Sequence, residues 1–268
     1  MKNRRTVAIL GAGMAGASAA RMLADAGLAV QVFDKGQAVG GRMATRRSGS
    51  LQFDHGAQFM RAHGSAFAAR LAAWEQRGIV APWAGAERRV GVPDMTAPVR
   101  DLLDGLSVHS ATTITRIRRD DGAWSLEDAA GAGYGPFGAV AITFPAPQIA
   151  ALLDGSGYAL PDLGRAAYAP CWSVMVAAEG ALTGDLVEPH EDPIGLIALD
   201  ASKPGRPEGV RLTIHATAGW SRRHLEEPVR RSPPAFSKLQ SGIFAFRSGR
   251  SMRKPIAGAT HRLRPPSA

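Results

Sequence analysis

The sequence predicts an α/β protein whose opening unit runs strand, helix, strand, and three observations predict it. A short apolar run, Val7-Ala8-Ile9-Leu10, leads directly into Gly11-Ala12-Gly13-Met14-Ala15-Gly16. Helix formers occupy Ala17 to Ala26 and stop at Gly27, at the post-helical position that favours glycine. A second apolar run, Val30-Gln31-Val32-Phe33, ends on an acid, Asp34. Strand, glycine turn, helix, strand and acid within about thirty residues is the Rossmann-like order that cradles a dinucleotide.

Each of these residues has a physical task. Gly11 permits the tight turn. Gly13 has no Cβ, so a diphosphate can approach the backbone, and Gly16 lets helix and strand pack closely. The free N–H groups at the helix start, around Ala12, Met14 and Ala15, then face the anion. Asp34, with Lys35 beside it, can accept hydrogen bonds from ribose hydroxyls, and an acid there disfavours a 2′-phosphate. A similar string, Gly131-Ala132-Gly133-Tyr134-Gly135, has no strand before it and no helix after it, and it reads as a hairpin turn. A second close approach to phosphate is offered by Gly40-Gly41-Arg42-Met43, where Arg42 adds a planar cation.

With Gly40 to Arg47 (Gly-Gly-Arg-Met-Ala-Thr-Arg-Arg) and Phe53-Asp54-His55-Gly56-Ala57-Gln58-Phe59, the sequence resembles the renalase family in its bacterial form. That family lies among the FAD proteins related to amine oxidases and glutathione reductase. Val90-Gly91-Val92-Pro93-Asp94-Met95, Thr143-Phe144-Pro145-Ala146-Pro147-Gln148, Ser202-Lys203-Pro204 and His215 to Ser221 continue the likeness, which runs over about residues 5 to 227. Phe59 stands where the family usually has Tyr, which removes one hydroxyl.

The resemblance implies FAD as cofactor. It also implies a Rossmann-like FAD-binding domain (residues 1–62 and 96–150) interleaved with a smaller α+β substrate domain (63–95 and 151–227). Gly11 to Gly16, Asp34, Lys35, Gly41, Arg42, Met43, Ile114 and Pro145 would hold the cofactor. Gly56, Ala57, Gln58 and Phe59 would lie beside its ring, and Gln58 and His215 would act on the substrate. The implied reaction moves a hydride from a 2- or 6-dihydro isomer of NAD(P) to flavin N5, with O₂ reduced to hydrogen peroxide. Such a transfer needs two rings placed together and no protein nucleophile. The alternatives are an amine oxidase on the same scaffold and, from another class, a non-enzymatic binder with a basic tail.

Other segments fit a mixed fold. Leu106 to Ile117 alternates like one strand, Ile117 to Leu126 offers a hairpin partner, and Ala139 to Phe144 reads as a buried strand stopped by Pro145. A helix begins in Ala146 to Leu153. The uncharged stretch from Ala129 to Leu153 is broken by glycines and prolines, against a membrane helix. Lys2, Arg4 and Arg5 before an apolar run mimic an export signal, but the glycine turn that follows favours the strand reading. One cysteine, Cys171, rules out an internal disulfide framework, and the seven histidines show no metal-ligand spacing. A reducing, cytoplasmic setting with no metal and no membrane partner is expected.

Charge divides the chain. Residues 228–268 hold nine of the 32 Lys and Arg residues and no Asp or Glu, which leaves the first 227 residues neutral. This Arg-, Ser- and Pro-rich stretch predicts an irregular basic tail. Three origins are open: translation out of frame, which is favoured; a genuine tail for nucleic acid or acidic lipid; or a plain disordered tail. The family's closing glycine- and alanine-rich helix is not found after Glu226. This predicts weak retention of FAD or none.

Overall fold

The computed structural model describes residues 5–154, 156–178 and 184–226, together with the backbone of 255–263. Along the chain come β1 (Thr6–Leu10), α1 (Met14–Asp25) and β2 (Ala29–Phe33). A hairpin of β3 (Thr45–Ser48) and β4 (Leu51–Asp54) leads to α2 (Ser65–Gln76) and a second hairpin, β5 (Val80–Pro82) with β6 (Arg89–Gly91). Next are α3 (Ala97–Leu103), β7 (Ser107–His109), β8 (Ile114–Asp120), β9 (Ala123–Asp128), β10 (Gly133–Phe137), β11 (Ala139–Ile142) and α4 (Ala146–Leu153). Then β12 (Cys171–Ala178), β13 (Leu186–Val187), β14 (Ile194–Leu199), β15 (Val210–Ala216), α5 (Ala218–Arg223) and β16 (Pro255–Leu263) complete the described chain.

The chain divides into two compact units. One takes Met1–Arg42 and Pro98–Ala167; the other takes Met43–Ala97 and Tyr168–Pro265. The crossings follow Arg42, Ala97 and Ala167, whereas the resemblance implies crossings after 62, 95 and 150. Packing explains two of these positions. Phe53 of β4 is buried with Met175 and Ala177 of β12, so the first hairpin belongs to the second unit. Leu152 and Leu153 of α4 are buried with Leu10 and Phe33, so the segment after 150 stays in the first.

The first unit is Rossmann-like. Its parallel sheet has the order β11-β1-β2-β7, and β1 sits between two partners with Ala8, Ile9 and Leu10 at most 1% exposed. A strand buried on both faces needs an unbroken apolar run, which is what residues 7–10 supply. Helix α1 ends at Ala26, and Gly27 (φ +81°) takes the left-handed conformation that closes it. An antiparallel meander, β10-β9-β8, adds Ile117, Leu126 and Phe137 to the same core. Gly131–Gly135 lies at the β9–β10 hairpin, where Asp128 Oδ1 accepts from the N–H groups of Ala130 and Ala132.

Two expectations are corrected. Leu106 to Ile117 is not one strand: β7 joins the parallel sheet and β8 joins the meander. Between them the chain turns at Ala111 (φ +53°), whose N–H is held by the Gly36 carbonyl, while the Asp34 carbonyl holds the N–H of Thr112. The alternation persists because both strands are half-buried, so the break leaves no mark in the period. Second, the irregular tail does not hold for Pro255–Leu263. This segment pairs antiparallel with β12 as an outer strand, which satisfies backbone groups that a bare edge would leave open. The rest of 228–268 lies outside the described residues.

The second unit is α+β. Its antiparallel sheet has the order β13-β14-β15-β12-β16. Trp172, Val174, Ile197, Ile214 and Trp220 form a core on one face of it. Trp172 and Trp220 meet edge to face at 6.3 Å, as core packing predicts. Among the described residues no helix is long and apolar enough to cross a membrane.

Candidate functional site

In the first unit the two glycine turns meet backbone to backbone. Gly40 donates its N–H to the Ala12 carbonyl at 2.9 Å, and Gly13 bridges Gly40 in parallel. A Cβ placed on Gly13 would find only the Gly41 Cα, at 4.0 Å; one on Gly41 would lie 3.3 Å from the Gly13 Cα. Among the described residues no side chain lies within 4 Å of a Cβ at either position. Gly41 (φ +52°) also needs the left-handed conformation. Gly13 is the N-cap of α1 and makes no side-chain cap, so the first-turn N–H groups of Met14, Ala15 and Gly16 lack intrahelical acceptors and face outward with the positive end of the helix dipole.

Close packing enforces this turn. A Cβ on Gly16 would lie 1.8 Å from the Gly11 carbonyl oxygen and 2.7 Å from Thr143 Oγ1. Thr143 in turn donates to the Leu10 and Gly11 carbonyls, at 3.0 and 3.2 Å. Asp34, at the end of β2, accepts from the Ala12 N–H (Oδ2, 2.6 Å) and the Gly36 N–H (Oδ1, 2.7 Å). Its carboxylate thus shapes the turn and keeps a lone pair on each oxygen for a sugar hydroxyl. Lys35 and Arg42 are exposed beside these turns. Ile114 is half-buried at the start of β8 against the core of this unit, and Pro145 is the N-cap of α4. The first turn of α1, the Gly40–Gly41 turn and Asp34 can hold the diphosphate and sugar of a dinucleotide.

Met43, Gly56, Ala57, Gln58, Phe59 and His215 belong to the second unit. Met43 is buried, and its carbonyl accepts from Thr96 Oγ1 at 3.3 Å. The Phe59 ring carries the guanidinium groups of Arg88 and Arg61, at 4.9 and 5.7 Å from its centre. Gln58 is 4% exposed and its amide is turned inward. Both of its N–H bonds go to backbone carbonyls, of Asp54 and Gly56, and its Oε1 accepts from Lys203 Nζ at 2.8 Å. Both donors of the Gln58 amide are thus spent on its own turn, where the resemblance implies contact with ring or substrate.

Four buried charges surround that glutamine, and sequence reasoning assigned them no role. Lys203 Nζ reaches Asp54 Oδ2 (3.2 Å) and Asp200 Oδ1 (2.7 Å), and Arg206 reaches Asp54 Oδ2 (2.6 Å). All four side chains are at most 1% exposed. Thr45 Oγ1 and the Met95 N–H complete Asp54, and Thr213 Oγ1 donates to Asp200. Two cations balance two carboxylates, the arrangement in which buried charge is tolerated. Burial alone would raise the Asp54 carboxyl, but Lys203 and Arg206 override it and hold it at about 2. For Asp200 burial prevails over Lys203, and the carboxyl is raised.

His215 lies in β15 opposite Ser173 of β12. Its Nε2 is 3.2 Å from the His55 carbonyl, which also accepts from Ser173 Oγ at 2.9 Å. Burial lowers its pKa, the carbonyl contact opposes this, and Lys203 lowers it further. The ring is thus neutral, with Nε2–H donating and Nδ1 left as an acceptor. A lowered histidine pKa means that, below about pH 6.5, the unfolded chain takes up a proton that the folded chain refuses. Thermal stability should therefore fall from pH 7 towards 5, and His215→Asn should flatten that slope in melts across the range. Burial pushes the Cys171 thiol up to about 11, which disfavours the nucleophilic thiolate. Among the described residues no group of three or more His, Cys, Asp or Glu could hold a metal ion.

Comparison with known proteins agrees with this geometry. Residues 9–75 match the NAD(P)-binding Rossmann-like domain, a span that contains both glycine turns and Asp34. The fold is similar to that of a protein from Exiguobacterium sp. described as a protoporphyrinogen oxidase (TM-score 0.69, 13% identity, 97% of this chain and 86% of that one). It is similar to an oxidoreductase from Methanosarcina mazei (TM-score 0.61, 12% identity, 96% and 87%). It is similar also to reduced UDP-galactopyranose mutase (TM-score 0.67, 11% identity, 96% and 83%). The chain thus has a mixed α/β fold with a Rossmann-like dinucleotide-binding domain, on a scaffold that oxidoreductases also use.

Proposed function

We propose that this protein is an FAD-dependent oxidoreductase of the renalase type, oxidising dihydronicotinamide dinucleotides with O₂. The observation that carries the reading is the pair of glycine turns: Ala12–Gly13 and Gly40–Gly41 abut with no side chain of the described residues over them, at the start of α1 and beside Asp34. A diphosphate held there would accept from the first-turn N–H groups of α1 and pair with Arg42, while Asp34 would accept from ribose hydroxyls. FAD supplies two-electron chemistry when bound, taking a hydride and passing the electron pair to O₂. In this reading the chain's part is to hold and orient. Gly56 and Ala57 meet the ring by backbone, and neutral His215 offers Nδ1 to a carboxamide N–H of the substrate. The renalase-like motifs support the substrate class over an amine.

The family's closing helix is not found after Glu226, so retention through purification is expected to be weak, but FAD titrated in excess into the purified protein is expected to saturate, with its visible band sharpened and its fluorescence quenched. Absence of saturation refutes the reading. Mixing the FAD-loaded protein anaerobically with 6-dihydro-NAD is expected to bleach the band. Bleaching by amines alone would move the assignment to an amine oxidase.

A further inference from the structure

The Asp54–Gln58 turn has its carbonyls engaged by side chains. Three successive carbonyls point into the protein. Asp54 and Gly56 accept from the Gln58 amide, and His55 accepts from Ser173 Oγ and His215 Nε2. In a trans peptide the N–H points opposite to the carbonyl it is bonded through. The N–H groups of Gly56 and Ala57 are thus aimed away from these donors, and neither meets an acceptor among the described residues. Two adjacent N–H groups left without an acceptor are available as donors to a carbonyl oxygen or ring nitrogen.

One side chain decides which way the Gln58 amide faces. An amide can turn its oxygen or its nitrogen to a given neighbour. Here the Lys203 ammonium, a pure donor, demands the oxygen, so the nitrogen must face the Asp54 and Gly56 carbonyls. Lys203 is itself a tripod: its three N–H bonds meet Gln58 Oε1, Asp54 Oδ2 and Asp200 Oδ1. Its cation also lies 5.1 Å from the centre of the Trp83 ring.

We propose that Lys203 is a positioning residue that, through Gln58, sets the Asp54–Gln58 turn so that Gly56 and Ala57 present their N–H groups to an acceptor edge of the bound flavin. The assignment of the turn to Lys203 stands on this geometry alone; the identity of the acceptor rests on the proposed function.

The test uses the full chain. Lys203→Met alone strands Asp200, so it is combined with Asp200→Asn, which removes the charge with its partner and leaves Asp54 paired with Arg206. Asp200→Asn alone is the control, since Lys203 then keeps Gln58 and Asp54. Backbone ¹⁵N order parameters of Gly56 and Ala57, read without FAD, are expected near 0.85 in the parent and the control, and below about 0.6 in the double variant. Gln58→Leu should lower them equally, and adding it to the double variant should lower them no further. Additive losses, a uniform loss across β12 and β15, or no change at 56–57 would overturn the positioning role. With FAD bound, the double variant should shift the flavin band and make the midpoint potential more negative. An unmoved band and potential would overturn the link to the ring. Failure of the parent to bind FAD would sink the functional reading, while the order parameters still decide the role of Lys203.

Discussion

Gly13→Ala is expected to leave the protein folded and to abolish FAD binding, whereas Gly16→Ala is expected to unfold the first unit. The two glycines are three residues apart in one turn, and the difference lies in what a methyl group would meet. At Gly13 it meets only the Gly41 Cα at 4.0 Å, and the backbone there (φ −81°, ψ −177°) suits any residue. The cost should be about 1 kcal/mol for a poorer N-cap. The same methyl fills the space a diphosphate needs. At Gly16 it would lie 1.8 Å from the Gly11 carbonyl oxygen, which cannot retreat because it belongs to the neighbouring strand–turn backbone. Overpacking of this kind costs about 3 kcal/mol or more. Denaturant melts and FAD titration on both variants check the pair. A Gly13→Ala protein that still binds FAD would show that the diphosphate does not lie on this turn.

Asp54→Asn should be among the most damaging single changes outside that turn. It leaves Lys203 and Arg206 buried with only Asp200 to answer them. Breaking a buried ion network at one partner typically costs about 3–5 kcal/mol, because the remaining charge has neither water nor counter-ion. The effect carries a pH signature. The Asp54 carboxyl is held at about 2, below the ordinary value of about 3.9, so the folded state binds fewer protons there than the unfolded state. Its stabilisation is whole above pH 4 and is lost as pH falls towards 2. Urea melts should show that acid-side loss in the parent, offset in part by Asp200, whose raised carboxyl acts with the opposite sign. The Asp54→Asn variant should be weak at pH 7 and lack the Asp54 share of the slope. Equal stability of parent and variant at neutral pH would contradict the network's role.

Both predictions concern residues that differ in how plainly the sequence displays them. Gly11, Gly13, Gly16 and Asp34 act on neighbours within one strand–helix–strand unit, so their spacing alone carries the argument. The meander hairpins are equally local. Lys203 and Asp54 stand 149 residues apart, and nothing periodic joins them. Their one signal is chemical: an acid ends the short strand Leu51–Asp54, and a lysine sits between Ser202 and Pro204. Gln58 is legible as a residue of interest but not as an inward-facing one, because the partner that turns it is 145 residues away. Strand β16 went unread for a related reason. Its backbone is ordered by pairing with Cys171–Ala178, not by any pattern of its own.

The meander ends in β8, which pairs with β9 and has no second partner among the described residues. Its outward residues include Arg116, Arg118 and Arg119, all exposed. A foreign strand seeking to extend the sheet at this rim would have to strip water from guanidinium groups before gaining backbone hydrogen bonds. The rim therefore discourages stacking of partly unfolded chains, and concentrated solutions should tolerate low ionic strength better than a variant in which these arginines are replaced by threonine.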